Sequence, residues 1–214
     1  MQVSAEIRWF WAAACPDEIA AWFRSAAPQP GGGKPREDEY LHESGQTELG
    51  LKRRGGKRGV EAKGLVSVLP EPSDAVPFIG PIEIWCKWRS AALTLRHSST
   101  IRTRKVRWLR KFDTSGSEPH EIQLDENEDP KDGRPLPGFG CNVELTQVDL
   151  DPGRIWWTLG FEAFGDLYSV EQSLRSTLVV AASRLPPSLG SGELLSYPAW
   201  LSKHVSQNDS AEFV

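Results

Sequence analysis

The sequence predicts an α+β domain, an antiparallel sheet of about eight strands flanked by helices. Three observations carry this. Apolar and polar residues alternate with a period of two along most of the chain, and many of the polar positions are charged. Two segments show the i, i+3, i+4 spacing of an amphipathic helix. The composition is globular, with 214 residues of which 39% are hydrophobic and 25% charged, enough for one sizeable core and short for two.

The first strand places Ile7, Trp9 and Trp11 on one face, and Glu6, Arg8 and Phe10 on the other. A helix over 17–24 follows. Pro16, Asp17 and Glu18 suit a first turn, and Ile19, Trp22 and Phe23 form the apolar stripe. Pro28 to Pro35 (PQPGGGKP) reads as a flexible connector before a short strand at Glu39-Tyr40-Leu41. Leu49 and Leu51 then oppose Glu48, Lys52 and Arg54, and Val60, Ala62 and Val66 oppose Glu61, Lys63 and Ser67. After a turn-rich link from Pro70 to Pro81, Ile82, Ile84, Cys86 and Trp88 oppose Glu83, Trp85, Lys87 and Arg89. Val106 and Trp108 oppose Lys105, Arg107 and Lys111. Glu118 to Gly140, acidic and rich in Pro and Gly, reads as a mobile flap or a disordered insertion. Val143 and Leu145 oppose Asn142, Glu144 and Thr146. The last strand sets Ile155, Trp157, Leu159, Phe161 and Ala163 against Thr158, Gly160 and Glu162.

A second helix over 170–182 carries Val170, Leu174, Leu178 and Ala181, with Ser169 and Gln172 placed as a capping box. From Leu185 onward the chain turns to Ser, Pro and Gly and reads as a weakly ordered extension or a surface wrap. The expected division is a domain over 1–184 and a C-terminal extension over 185–214. Alternation of this kind fits either an open sheet with a solvated face, or a closed barrel whose polar face points inward and whose apolar face lies under the helices.

Charge and motif content exclude several classes. The net charge is −4, so global basicity gives no case for nucleic acid. The cations are unevenly placed, in a run from Lys52 to Lys63 and a second from Lys87 through Arg96 to Lys111, while acid gathers between Glu118 and Asp132. No stretch is apolar enough to cross a membrane as a helix. Ala12-Ala13-Ala14-Cys15 has the look of a cleavage site, but Glu6 and Arg8 interrupt the segment before it. Cys15, Cys86 and Cys141 are scattered, with no CxxC pair, which fits a reducing compartment and a cytoplasmic location. Gly31-Gly32-Gly33-Lys34-Pro35 is not a Walker A loop, because Pro stands where Ser or Thr belongs. The histidines have no zinc-ligand spacing with the cysteines.

The strand order resembles the CYTH domain superfamily, the triphosphate tunnel metalloenzymes, over roughly residues 4–182. The resemblance rests on a first strand carrying Glu6, a helix, Tyr40-Leu41, Leu49-Gly50-Leu51-Lys52-Arg53-Arg54, and Val60-Glu61-Ala62-Lys63. Basic strands follow, then Val143-Glu144-Leu145 and Gly160-Phe161-Glu162. It implies an eight-stranded antiparallel tunnel in which basic side chains hold a triphosphate and acidic ones hold Mg²⁺ or Mn²⁺. Carried onto this chain, Glu6, Glu144 and Glu162 become the metal-binding and catalytic carboxylates. Arg8, Lys52, Arg54, Lys63, Lys87, Arg89 and Arg107 become the phosphate contacts. The family opens on Glu-x-Glu-x-Lys, whereas this chain has Glu6-Ile7-Arg8-Trp9-Phe10. One metal ligand and one phosphate contact are thereby replaced, which binding survives better than catalysis.

Three functions follow. The first is metal-dependent hydrolysis of a triphosphate. The second is a tunnel that binds a triphosphate, nucleotide or polyphosphate with weak hydrolysis or none, and the Arg8 and Phe10 departures favour it. The third is a non-catalytic interaction protein whose basic face meets RNA or an acidic partner, against which the net charge weighs.

Overall fold

The computed structural model describes residues 1–25, 28–42, 44–55, 57–93, 100–151 and 153–205, with Asp151 as backbone only. Arg96, Gly56 and the tail beyond 205 lie outside the described residues. The elements in chain order are β1 (Gln2–Ala12), α1 (Asp17–Ser25), β2 (Gly31–Leu41), β3 (Leu49–Arg54), β4 (Val60–Leu69), β5 (Ile82–Ser90) and β6 (Thr100–Asp113). They continue with β7 (His120–Ile122), β8 (Gly140–Asp151), β9 (Arg154–Gly165), α2 (Val170–Ala182), β10 (Glu193–Leu194) and α3 (Tyr197–His204).

Eight strands close into an antiparallel barrel in the order β1-β5-β4-β3-β2-β6-β8-β9. The closing seam runs from Val3 opposite Gly165 to Ala12 opposite Trp156, and pairs β1 with β9. The short strands β10 and β7 add beside β1 and β6. Closure removes the open edges that a sheet of this size would expose. It also excludes the open sheet with a solvated face, because the polar face now encloses space.

The two faces of the wall have separate cores. Outside, Ile7, Trp9, Val143, Leu145, Leu159 and Phe161 meet Ile19 and Phe23 of α1 and Val170, Leu174 and Leu178 of α2. Burying such side chains contributes about 1.5–3 kcal/mol each before conformational entropy is subtracted. The outward apolar stripe is thus covered by the two helices that its periodicity requires. The turn-rich link before β5 joins this core through Phe78, whose ring lies 4.8 Å from Phe161. Inside, at the end where β1 finishes, Phe10, Tyr40, Ile101, Val148 and Leu150 pack on Trp200 and Leu201 of α3. Trp200 is fully buried and stacks on Phe10 at 5.0 Å with an interplanar angle of 10°. Helix α3 is therefore a plug in one mouth of the barrel.

Four segments differ from their sequence expectation. The Pro28 to Pro35 connector is strand from Gly31 onward, with a register shift between Gly32 and Pro35. A bulge there lets Pro35, which has no N–H to donate, sit in a ladder. The acidic segment is not an unanchored insertion. β7 pairs with β6, Leu124 bridges Pro130, and Glu121 bonds Arg110 and Arg184. The chain after Leu185 is packed through β10 and α3 as far as Val205, so the described part of the extension completes the barrel. The capping box does not form, since Ser169 makes no side-chain cap bond to α2. The Asp166 carboxylate instead accepts from the Tyr168 and Ser169 amides ahead of the helix.

Candidate functional site

The barrel encloses a cavity of about 280 Å³. Its lining follows from strand parity. The alternate residues Glu6 and Arg8 of β1, Lys52 and Arg54 of β3, Glu61 and Lys63 of β4, and Arg36 and Tyr40 of β2 all point inward. Lys87, Lys105, Arg107, Glu144 and Glu162 complete the charged lining, giving eight basic side chains against four carboxylates. An excess of basic over acidic side chains around one cavity favours an anion there.

One part of the wall is internally neutralised. Glu144, on β8, accepts from Arg8 Nη2 at 2.9 Å and from Arg107 Nη1 at 2.6 Å. Arg8 also donates to Thr158 Oγ1 at 3.1 Å, and a Cβ at Gly160 would collide with its guanidinium. Glycine at 160 is therefore what makes room for Arg8. Burial opposes the charges on both partners. It is outweighed: Arg107 and Arg8 hold Glu144 well below the usual carboxylate range, and Glu144 holds Arg8 protonated. Glu6 pairs with Lys63 and accepts from Ser4 Oγ at 2.6 Å. Glu162 pairs with Lys87 at 2.6 Å. Burial opposes the Glu162 charge as well, but Lys87 and Lys63 bring its pKa down to about 2.

The opposite part, built by β2, β3 and β6, is under-neutralised. Lys52 has Glu61 at 3.0 Å. Arg36 and Lys105 share Asp38, at the longer distances of 3.6 and 3.9 Å. The Nε atoms of Arg36 and Arg54 and both carboxylate oxygens of Asp38 are buried without a hydrogen-bond partner. Among the described residues no carboxylate forms an ion pair with Arg54. Lys105 is almost wholly buried and donates to the Tyr40 hydroxyl at 2.7 Å. Burial, and then the neighbouring Lys52, Arg36 and Arg8 against the pull of Asp38, draw its pKa well down.

The plug contributes to this site. The Tyr197 ring centre of α3 lies 3.6 Å from Lys105 Nζ and 5.0 Å from the Arg8 guanidinium, within the range of cation–π contacts. Burial pushes the Tyr197 phenol up to about 12, so it stays a neutral hydroxyl. Ser196 caps α3 by accepting from the Ala199 amide at 3.4 Å.

Of the residues named from sequence, Glu6, Arg8, Lys52, Arg54, Lys63, Lys87, Arg107, Glu144 and Glu162 line the one cavity. Arg89 does not. It is exposed near the end of β5 and donates to the Arg58 carbonyl. Arg36, Tyr40, Glu61, Lys105 and Tyr197 line the cavity without having been selected. Glu61 and Lys105 carried the parity signal. Arg36 was hidden behind a Gly/Pro run, and Tyr197 behind a segment with no periodicity.

Glu6, Glu144 and Glu162 are paired with cations in this arrangement. Each is clasped by its own cation, and both oxygens of Glu144 are taken by guanidiniums. Among the described residues no three His, Cys, Asp or Glu side chains gather as a ligand group. To hold Mg²⁺ or Mn²⁺, Glu6 and Glu144 would have to release oxygens that now accept from cations. The replacement is legible in β1. Arg8 stands where the resemblance expects a second Glu, and it brings a fixed positive charge to Glu144. Phe10 stands where Lys is expected, and it anchors the plug. Among the described residues no helix is long and apolar enough to cross a membrane. No protein-family model matches the chain and no curated protein matches it, so its side-chain geometry is what bears on its function.

Proposed function

We propose that the barrel binds a phosphate-rich small molecule, such as a triphosphate or a nucleotide, and that it does so without a metal ion. The observation that carries this is the under-neutralised wall. Arg36 and Arg54 line the cavity beside Lys52 and Lys105, their Nε donors make no hydrogen bond, and the one carboxylate near Arg36, Asp38, stands off at 3.6 Å. Buried donors without acceptors cost about 1–3 kcal/mol each, and an anion with several oxygens relieves that cost. Guanidinium forks match phosphate oxygens in pairs. Arg8 supplies at Glu144 the positive charge that a divalent metal supplies in the family that the chain resembles. On this reading the protein is a CYTH-like tunnel adapted to binding. A cavity of about 280 Å³ inside the barrel suits a small molecule, whereas RNA or an acidic protein needs its cations on an outer surface.

The test is a thermal-shift titration of the full chain with tripolyphosphate and with ATP at low salt, in EDTA and in Mg²⁺ or Mn²⁺. A ligand at a hundredfold excess over its dissociation constant adds about 2.7 kcal/mol. The expected result is stabilisation that persists in EDTA. No shift at millimolar ligand overturns the reading. Phosphate release that depends on Mg²⁺ or Mn²⁺ overturns its metal-free part and restores the hydrolase.

A further inference from the structure

We infer that Glu128 stands in for a ligand phosphate on Arg107, making the acidic segment between β7 and β8 an internal competitor for the cavity. This rests on the anion-binding reading above. Arg107 spends its guanidinium on two carboxylates. Nη1 donates to Glu144 at 2.6 Å, while Nε donates to Glu128 Oε1 at 3.0 Å and Nη2 to Glu128 Oε2. That second contact is a two-pronged fork, the geometry with which arginine takes a phosphate. The charges alternate along a line from Arg8 to Glu144 to Arg107 to Glu128. Glu144 is its inner carboxylate, with a side chain 8% exposed, and Glu128 its outer one at 27%. Glu144 keeps Arg8 when Arg107 turns away, so the Arg107–Glu128 contact is the exchangeable one.

The segment is shaped to deliver this carboxylate. Glu128 has φ +68°, a left-handed conformation that a Glu side chain rarely adopts. The turn holding it is tied by the Asp125 carboxylate, which accepts from the Asn127 amide at 2.7 Å and the Asp129 amide at 3.0 Å. Gly32 leaves the approach open, since a Cβ there would stand 3.1 Å from Glu128 Oε1. A triphosphate carries more charge than one carboxylate, and it gains Arg36 and Arg54 as well. It therefore displaces Glu128, and the turn comes away from the barrel.

The experiment measures tripolyphosphate affinity by calorimetry in EDTA for the full chain, Glu128→Gln, Glu128→Ala and Glu126→Gln. Hydrogen exchange across 125–131 is followed in the unmodified protein. Glu126 lies in the same turn and, among the described residues, pairs with the exposed Lys34 alone. The expected result is about tenfold tighter binding in both Glu128 variants, with Glu126→Gln unchanged, and faster exchange across the turn when ligand is added. Equal affinity in all four proteins overturns the competitor and leaves the binding site standing. An equal gain in Glu126→Gln overturns it in favour of general charge. Weaker binding in the Glu128 variants makes Glu128 a ligand-contacting residue and overturns it too. No binding in any of the four overturns both readings.

Discussion

The two parts of the cavity wall are made of the same residue types and behave differently. Around β1, β8 and β9, Glu6, Glu144 and Glu162 each hold a cation at hydrogen-bond distance. Around β2 and β3, Arg54 has no carboxylate partner among the described residues, and Arg36 meets Asp38 only at 3.6 Å, beyond hydrogen-bond distance. Charge neutralised within the protein stabilises the barrel and has little left for a ligand. Charge left unneutralised costs stability and is available to bind. Inward orientation alone therefore does not mark a ligand contact. What separates a structural cation from a binding one is whether a carboxylate already occupies its donors.

That distinction can be broken by mutation. The largest effect is expected for Glu144→Ala, which leaves the buried Arg8 guanidinium without its counter-charge. Removing one partner of a buried pair costs about 3–5 kcal/mol, and chemical denaturation should show a loss of that order. A loss below about 1 kcal/mol would mean that the neutralised part is not what holds the barrel closed. The other part should answer in the opposite way. Arg36→Ala with Arg54→Ala should weaken tripolyphosphate binding about 10–100-fold, with a smaller loss of stability than Glu144→Ala, because Asp38 keeps Lys105 and Arg36 holds it only at 3.6 Å. Unchanged affinity would remove these two arginines from the site.

A third prediction uses pH. Lys87 and Lys63 outweigh burial and hold Glu162 at about 2, below the ordinary carboxylate value. A depressed pKa stabilises the folded state fully above the unfolded value of about 4.3, and that stabilisation is lost as pH falls toward 2. Between those limits the unmodified protein should lose about 2 kcal/mol that Glu162→Gln does not lose. Parallel acid limbs in the two proteins would show that the Lys87 pair is not coupled to folding. The smallest effect is expected for Arg89→Ala, which removes an exposed contact with the Arg58 carbonyl outside the cavity. Stability should stay within about 0.5 kcal/mol and affinity should not move. A loss of binding would extend the site to the rim.

Much of this was legible from alternation. Alternation set Trp9 and Phe161 on one parity and Arg8 and Glu162 on the other, which separated an apolar from a charged face without deciding whether the charged face was solvated or enclosed. Three features resisted. Arg36 lies just beyond a Gly/Pro run, where a bulge inside a strand and a flexible connector look the same. Tyr197 and Trp200 lie on a helix of 8 residues, whose buried side is made by the barrel end rather than by a periodic stripe. Glu128 sits in a segment whose composition fits a solvated loop, and nothing nearby in sequence marks it as the one that reaches Arg107.

The sequence by itself determined which side chains share a face, because the period of two is a property of the local backbone and needs no partner. Tertiary structure alone decided that the sheet closes, that α3 fills one mouth, and which charges neutralise one another. Those outcomes depend on groups far apart along the chain, as in the Arg8–Glu144 pair, whose members are 136 positions apart. Charge pairing falls off over a few ångströms, so it registers folded distance and is silent about sequence order.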